Sequence, residues 1–133
     1  MATYISHSEE ETLAWARAYA KTLQAGDTVL LEGEMGAGKT ALAKGIASGM
    51  GITEEVTSPT YAYVNDYGGK LFHFDCYRLP SEEYAEMLGF AEYFEKDGIC
   101  LVEWSGKIPH LLPATCKRVE IVKRGDTVRE IRT

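Results

Sequence analysis

The eight residues Gly33-Glu34-Met35-Gly36-Ala37-Gly38-Lys39-Thr40 match the phosphate-loop pattern G-x-x-x-x-G-K-[ST] at every fixed position. The flanking sequence supplies the context this pattern needs. Before it, Thr28-Val29-Leu30-Leu31-Glu32 is a short aliphatic run of the kind buried in a parallel sheet. After it, Lys39 through Ser48 carries Leu42, Ala43, Ile46 and Ala47 on one side of a helix, with Gly49 and Gly51 as a stop. Strand, glycine-rich loop and helix in this order predict an α/β fold. The expected architecture is one domain over residues 1–133, with a central, mostly parallel sheet flanked by helices and antiparallel hairpins added. Glycines let successive backbone N–H groups curl around a phosphate, and the positive end of the following helix favours the anion. In such a loop Lys39 reaches the β- and γ-phosphates of a nucleotide, and the Thr40 hydroxyl serves Mg2+.

Working outward, Ser8-Glu9-Glu10-Glu11 has the form of a capping box and opens a helix predicted over residues 9–24, with Leu13, Ala16, Ala20 and Leu23 at helical spacing. Residues 61–64 and 70–75 are expected to form a hairpin around the turn-forming residues 65–69. Pro80-Ser81-Glu82-Glu83 reads as a helix start, with Met87, Phe90 and Phe94 as its apolar face. Ile99-Cys100-Leu101-Val102 is a further buried strand, and Val119, Ile121 and Val128 alternate with polar residues about a turn at Gly125-Asp126.

A phosphate loop needs an acid for the magnesium water shell and a group to orient the attacking water. Two apolar runs end in carboxylates: Leu71-Phe72-His73-Phe74-Asp75 and Ile99-Cys100-Leu101-Val102-Glu103. Each acid alone is as readily a helix cap or a solvated strand end as a metal ligand, and which of them handles metal and which handles water stays open. Thr57-Ser58-Pro59-Thr60 is either a segment that senses the γ-phosphate or a proline-stiffened turn. His73 alternates with core-facing phenylalanines and reads as a packed or edge histidine. Arg78 is either a surface residue or a neutraliser of developing charge, and Trp104 either packs in the core or stacks on a partner.

Composition bounds the rest. The net charge is −6, which does not suit independent binding to nucleic acid. Residues 117–133 nevertheless hold six basic side chains against three acidic ones, either as the polar face of a terminal hairpin or as a docking surface. Cys76, Cys100 and Cys116 are widely spaced and suit neither a disulfide framework nor a zinc site, so free thiols are expected. The first residues lack a secretion signal and no apolar run is long enough to span a bilayer, which leads to the expectation of a cytoplasmic protein without membrane association.

Taken with the phosphate loop, Ser58-Pro59-Thr60-Tyr61, His73-Phe74-Asp75-Cys76-Tyr77-Arg78 and Glu103-Trp104, in this order, resemble the TsaE (YjeE) family over about residues 5–125. The resemblance implies a compact P-loop ATPase working with the TsaB and TsaD proteins, which place threonylcarbamoyl on the tRNA adenosine beside the anticodon. It implies that tRNA is met only indirectly, through that complex, and that activity in isolation is weak. It assigns residues Gly33 through Ala41 to nucleotide binding, Lys39 and Thr40 to phosphate and Mg2+, Thr60 to the switch, and Asp75 and Glu103 to metal and attacking water, with Trp104 beside the site. Ala41 stands where many relatives repeat a threonine, and Ser105 where a proline or small residue is common. A small-molecule kinase and a nucleotide-gated interaction module share the phosphate loop and are the rival readings. No cluster of arginines in a lid-like insertion supports the kinase.

Overall fold

The computed structural model describes residues 2–57, 59 and 63–133. The elements in chain order are β1 (Thr3–Ser6), α1 (Glu9–Ala20), β2 (Thr28–Glu32), α2 (Lys39–Gly49), β3 (Val64–Tyr67), β4 (Leu71–Asp75), α3 (Glu82–Met87), α4 (Phe90–Phe94), β5 (Ile99–Glu103), β6 (Lys117–Lys123) and β7 (Arg129–Arg132), with a 3-10 turn at Ser105–Lys107. The seven strands are ordered β1-β7-β6-β2-β5-β4-β3. β4 and β5 run parallel, whereas the hairpins β3–β4 and β6–β7 and the pair β1–β7 are antiparallel. The fold is thus of the expected α/β class, mostly parallel at its centre, with helices flanking the sheet.

The chain divides into two compact units, and the boundary between Leu30 and Leu31 falls inside β2. The first comprises Met1–Leu23, Leu31–Thr57 and Arg118–Thr133. In it, Ser8 caps α1 by accepting the Glu11 N–H at 3.1 Å, and the Glu11 carboxylate accepts the His7 N–H at 2.8 Å. This is the capping arrangement expected from the sequence, moved one residue back on its return arm. The helix stops at Ala20, four residues earlier than predicted, because Lys21, Thr22 and Leu23 bond carbonyls three residues back, tightening the last turn into 3-10 geometry. α1 lies against α2 at Gly45: a Cβ there would stand 2.5 Å from Ala16 Cβ and 2.8 Å from the Leu13 carbonyl oxygen. The basic terminal segment is matched largely by its own neighbours. Arg118 pairs with Glu32, Arg124 with Glu130, and Arg132 with Glu120 and Glu130. This is the pattern of a solvated hairpin face, whose pairs contribute little stability each.

The second unit comprises Gln24–Leu30 and Ser58–Lys117. Its apolar core gathers Leu30, Phe72, Phe74, Leu79, Ala85, Phe90, Cys100, Val102 and Ile108. Phe74 carries much of it, stacking on Phe94 at 5.1 Å and meeting Phe90 and Tyr93 edge-on. Two expectations shift here. The hairpin turn is tighter than residues 65–69: Asn65, Asp66 and Tyr67 belong to β3, and Gly68-Gly69, both at positive φ (64° and 73°), make the corner. The helix begun at Ser81, which caps it by accepting the Tyr84 N–H, is broken by Gly89 at φ 82° into α3 and α4. Met87 is left 83% exposed instead of forming part of an apolar face. The cysteines are free. Burial, with the Asp75 and Glu103 carboxylates adding to it, pushes the Cys76 thiol up to about 12, and burial does the same for Cys100, so both are chemically quiet.

Candidate functional site

The first unit holds the phosphate loop. Strand β2 ends at Glu32, and the loop tightens through a bond from the Ala37 N–H to the Glu34 carbonyl at 3.1 Å. Gly38 precedes α2 at φ 116°, a left-handed conformation costly for any side chain. Gly33 has no room for one, since a Cβ would lie 2.7 Å from the Ile121 carbonyl of β6. Gly36, by contrast, faces open space, and Glu34, Met35, Gly36 and Thr40 are exposed. The backbone here is shaped by its neighbours on the inside and left bare outside, as a cradle for an anion must be.

The start of α2 supports that reading. No side chain caps it among the described residues, and its first turn holds no acid. At the start of an 11-residue helix the backbone N–H groups and the helix dipole favour an anion. Lys39 opens the helix and is 7% exposed, and Ala41, partly buried, is the third residue of the first turn. Behind the loop, Arg129 of β7 donates from Nε to the Ala37 carbonyl at 2.8 Å and from Nη1 to Gly125 and Val128. In the sequence Arg129 stands only among the basic side chains of the terminal hairpin. Nothing local announces a loop brace 92 residues from its partner.

The second unit holds the two acids. β4 and β5 are in parallel register, with His73 opposite Leu101 and Asp75 opposite Glu103. Side chains alternate across a sheet, so Phe72 and Phe74 turn into the core with Cys100 and Val102, and His73, Asp75 and Glu103 share the other face. Asp75, half-buried, accepts the Tyr77 N–H at 3.0 Å, a local turn that holds its carboxylate at the strand end. Glu103 is 4% exposed and its Oε2 lies 2.6 Å from His73 Nε2. His73 is fully buried, and its Nδ1 has no hydrogen-bond partner among the described residues. The expectation of a packed histidine holds as to burial, but it missed the carboxylate that the ring meets. Trp104 follows at φ 58°, ψ 44°, a left-handed conformation costing roughly 1–2 kcal/mol, and its ring lies 4.9 Å from Tyr77. Arg78 is exposed, and Thr60 lies outside the described residues.

Among the described residues no three His, Cys, Asp or Glu side chains converge as a metal site. A hydroxyl such as that of Thr40 suits an ion that keeps waters and binds substrate phosphates.

Comparison with known proteins agrees with the family resemblance. The family model described as threonylcarbamoyl adenosine biosynthesis protein TsaE matches residues 6–131. The tRNA threonylcarbamoyladenosine biosynthesis protein TsaE of Bacillus subtilis is 44% identical over 92% of this chain and 78% of its own. That of Treponema pallidum is 36% identical over 96% of both. A crystal structure of Bacillus subtilis YdiB superposes with a TM-score of 0.81 at 38% identity, covering 98% of this chain and 82% of the other. With a match that runs through almost the whole chain and relatives this similar along their own length, the chain belongs to the TsaE family.

Proposed function

We propose that this protein binds ATP through residues 33–41 and hydrolyses it in support of TsaB and TsaD, the proteins that place threonylcarbamoyl on the tRNA adenosine beside the anticodon. It meets tRNA through that complex and works in the cytoplasm, acting as a single functional domain. The observation that carries the nucleotide reading is the start of α2, a long helix without a cap or an acid, which follows a glycine-shaped loop and opens on a buried lysine. Backbone N–H groups and the Lys39 ammonium neutralise the β- and γ-phosphates. Thr40, with Asp75, would hold Mg2+, which when bound would stabilise charge on the phosphate oxygens. Glu103, firmly held and shielded, orients the attacking water and takes its proton. Asp75 supports the water shell, Thr60 reports on the γ-phosphate, and Trp104 covers the nucleotide.

The test is phosphate release from ATP by the chain mixed with TsaB and TsaD. Glu103→Ala is expected to keep ATP binding and lose about 10²- to 10⁴-fold in turnover, the range for a general base. Release by that variant at the wild-type rate would remove Glu103 from the mechanism. Transfer of the γ-phosphate to a small acceptor would make the protein a kinase, and tight ATP binding without release would make it a nucleotide-gated module.

A further inference from the structure

The family reading gives His73 no task, yet the structure places it in an unusual position. Its ring is wholly buried on the polar face of β4, one step diagonally across the ladder from Glu103 and not directly opposite it. A cross-strand neighbour two residues along is within reach only of a longer side chain, and the ring spans that distance to bring Nε2 to 2.6 Å from Oε2. If Glu103 is ionised, as a base must be, the nitrogen donates and the carboxylate accepts, so the proton sits on Nε2. Nδ1 is buried and without a partner among the described residues. Leaving such an atom unsatisfied costs about 1–3 kcal/mol, which a leucine or phenylalanine in the same place would avoid. Packing alone therefore does not account for a histidine here.

We propose that His73 is a positioning residue for Glu103: its Nε2–H fixes the carboxylate through Oε2, so that Oε1, which takes no part in this bond, is presented in one orientation to the attacking water. The inference rests on the proposed role of Glu103. The need for such a brace follows from the local chain. Glu103 is the last residue of β5, and the backbone turns away at Trp104 into the left-handed region, so the strand ladder fixes its Cα without fixing the carboxylate. Misplacement of a reacting group by about 1 Å can cost about 100-fold in rate, which makes one short hydrogen bond worth its unsatisfied nitrogen.

Three replacements separate this from a structural role. Glutamine carries its amide nitrogen as many bonds from Cα as His Nε2, whereas asparagine carries it where Nδ1 stands, and leucine carries none. In ATP turnover with TsaB and TsaD, His73→Gln should stay within about threefold of the wild-type kcat, and His73→Asn and His73→Leu should fall by about 10- to 100-fold. KM for ATP and the thermal unfolding midpoint serve as controls, with KM unchanged throughout. Wild-type kcat in the Asn or Leu variant, or a folded Gln variant as slow as Leu, would overturn the proposal. Glu103→Ala measured alongside keeps the two ideas apart. If that variant is inactive while His73→Leu is fully active, only the brace fails; if that variant is fully active, the role of Glu103 fails first. Imidazole ¹⁵N spectra of the nucleotide-free chain give a readout independent of turnover. They should show a protonated Nε2, and a bare Nε2 with the proton on Nδ1 would overturn the proposal.

Discussion

The two long helices of the first unit begin in opposite ways. α1 starts with a serine that accepts the Glu11 N–H, and three glutamates fill its first turn. α2 starts at a left-handed glycine with no side-chain cap, and lysine, threonine and alanine take the places held by the three glutamates in α1. Both helices leave the same N–H groups and the same dipole at that end, so both have the same electrostatic need for negative charge. α1 meets it from its own sequence, and we attribute the bareness of α2 to an anion supplied from outside. A helix that served only the fold would gain about 1 kcal/mol from a capping residue, and the sequence shows elsewhere, at Ser8 and Ser81, that such residues are used.

This contrast can be sharpened by making α2 resemble α1. Ala41→Glu places an acid at the position equivalent to Glu11. ATP affinity should fall about thirtyfold, at the upper end of the charge–dipole range of about 2 kcal/mol, while the nucleotide-free protein unfolds no earlier than wild type. An unchanged affinity in a calorimetric titration would break the comparison. The bodies of the helices, unlike their ends, are alike in being packed together. Gly45→Ala should cost about 1–2 kcal/mol in urea unfolding, since the added methyl meets the backbone carbonyl of Leu13 as well as Ala16. The brace behind the loop is a smaller effect: Arg129→Leu should weaken ATP binding about fivefold by freeing the Ala37 carbonyl, a loss of about 1 kcal/mol. Ser8→Ala should cost about 1 kcal/mol of stability and leave ATP affinity unchanged, because the cap of α1 serves only its own helix.

How far the sequence could be read follows from the range of the interactions involved. Strand β2, the loop and α2 were legible because their determinants are adjacent: an aliphatic run, glycines at fixed spacing and a helical face. The same holds for the acids at residues 75 and 103, each marked by an apolar strand that ends in a carboxylate. β1 was missed because three of its four residues are exposed and its identity comes from pairing with β7 at the other end of the chain. The role of His73 was hidden for a similar reason. Its alternation with Phe72 and Phe74 showed which face it takes, but its partner lies 30 residues away and is found only once β4 and β5 are in register. Gly89 lies between Met87 and Phe90, and its left-handed φ, which the apolar spacing of Met87, Phe90 and Phe94 does not reveal, decides the break.

The central claim is that the corner between β2 and α2 holds the phosphates of ATP, and equilibrium titration with ATP of the wild-type chain and Lys39→Ala tests it most directly. Removal of a buried ammonium from a phosphate contact is expected to weaken binding by at least about 100-fold, close to 3 kcal/mol, with the fold intact. A folded Lys39→Ala variant that bound ATP as tightly as the wild type would contradict it.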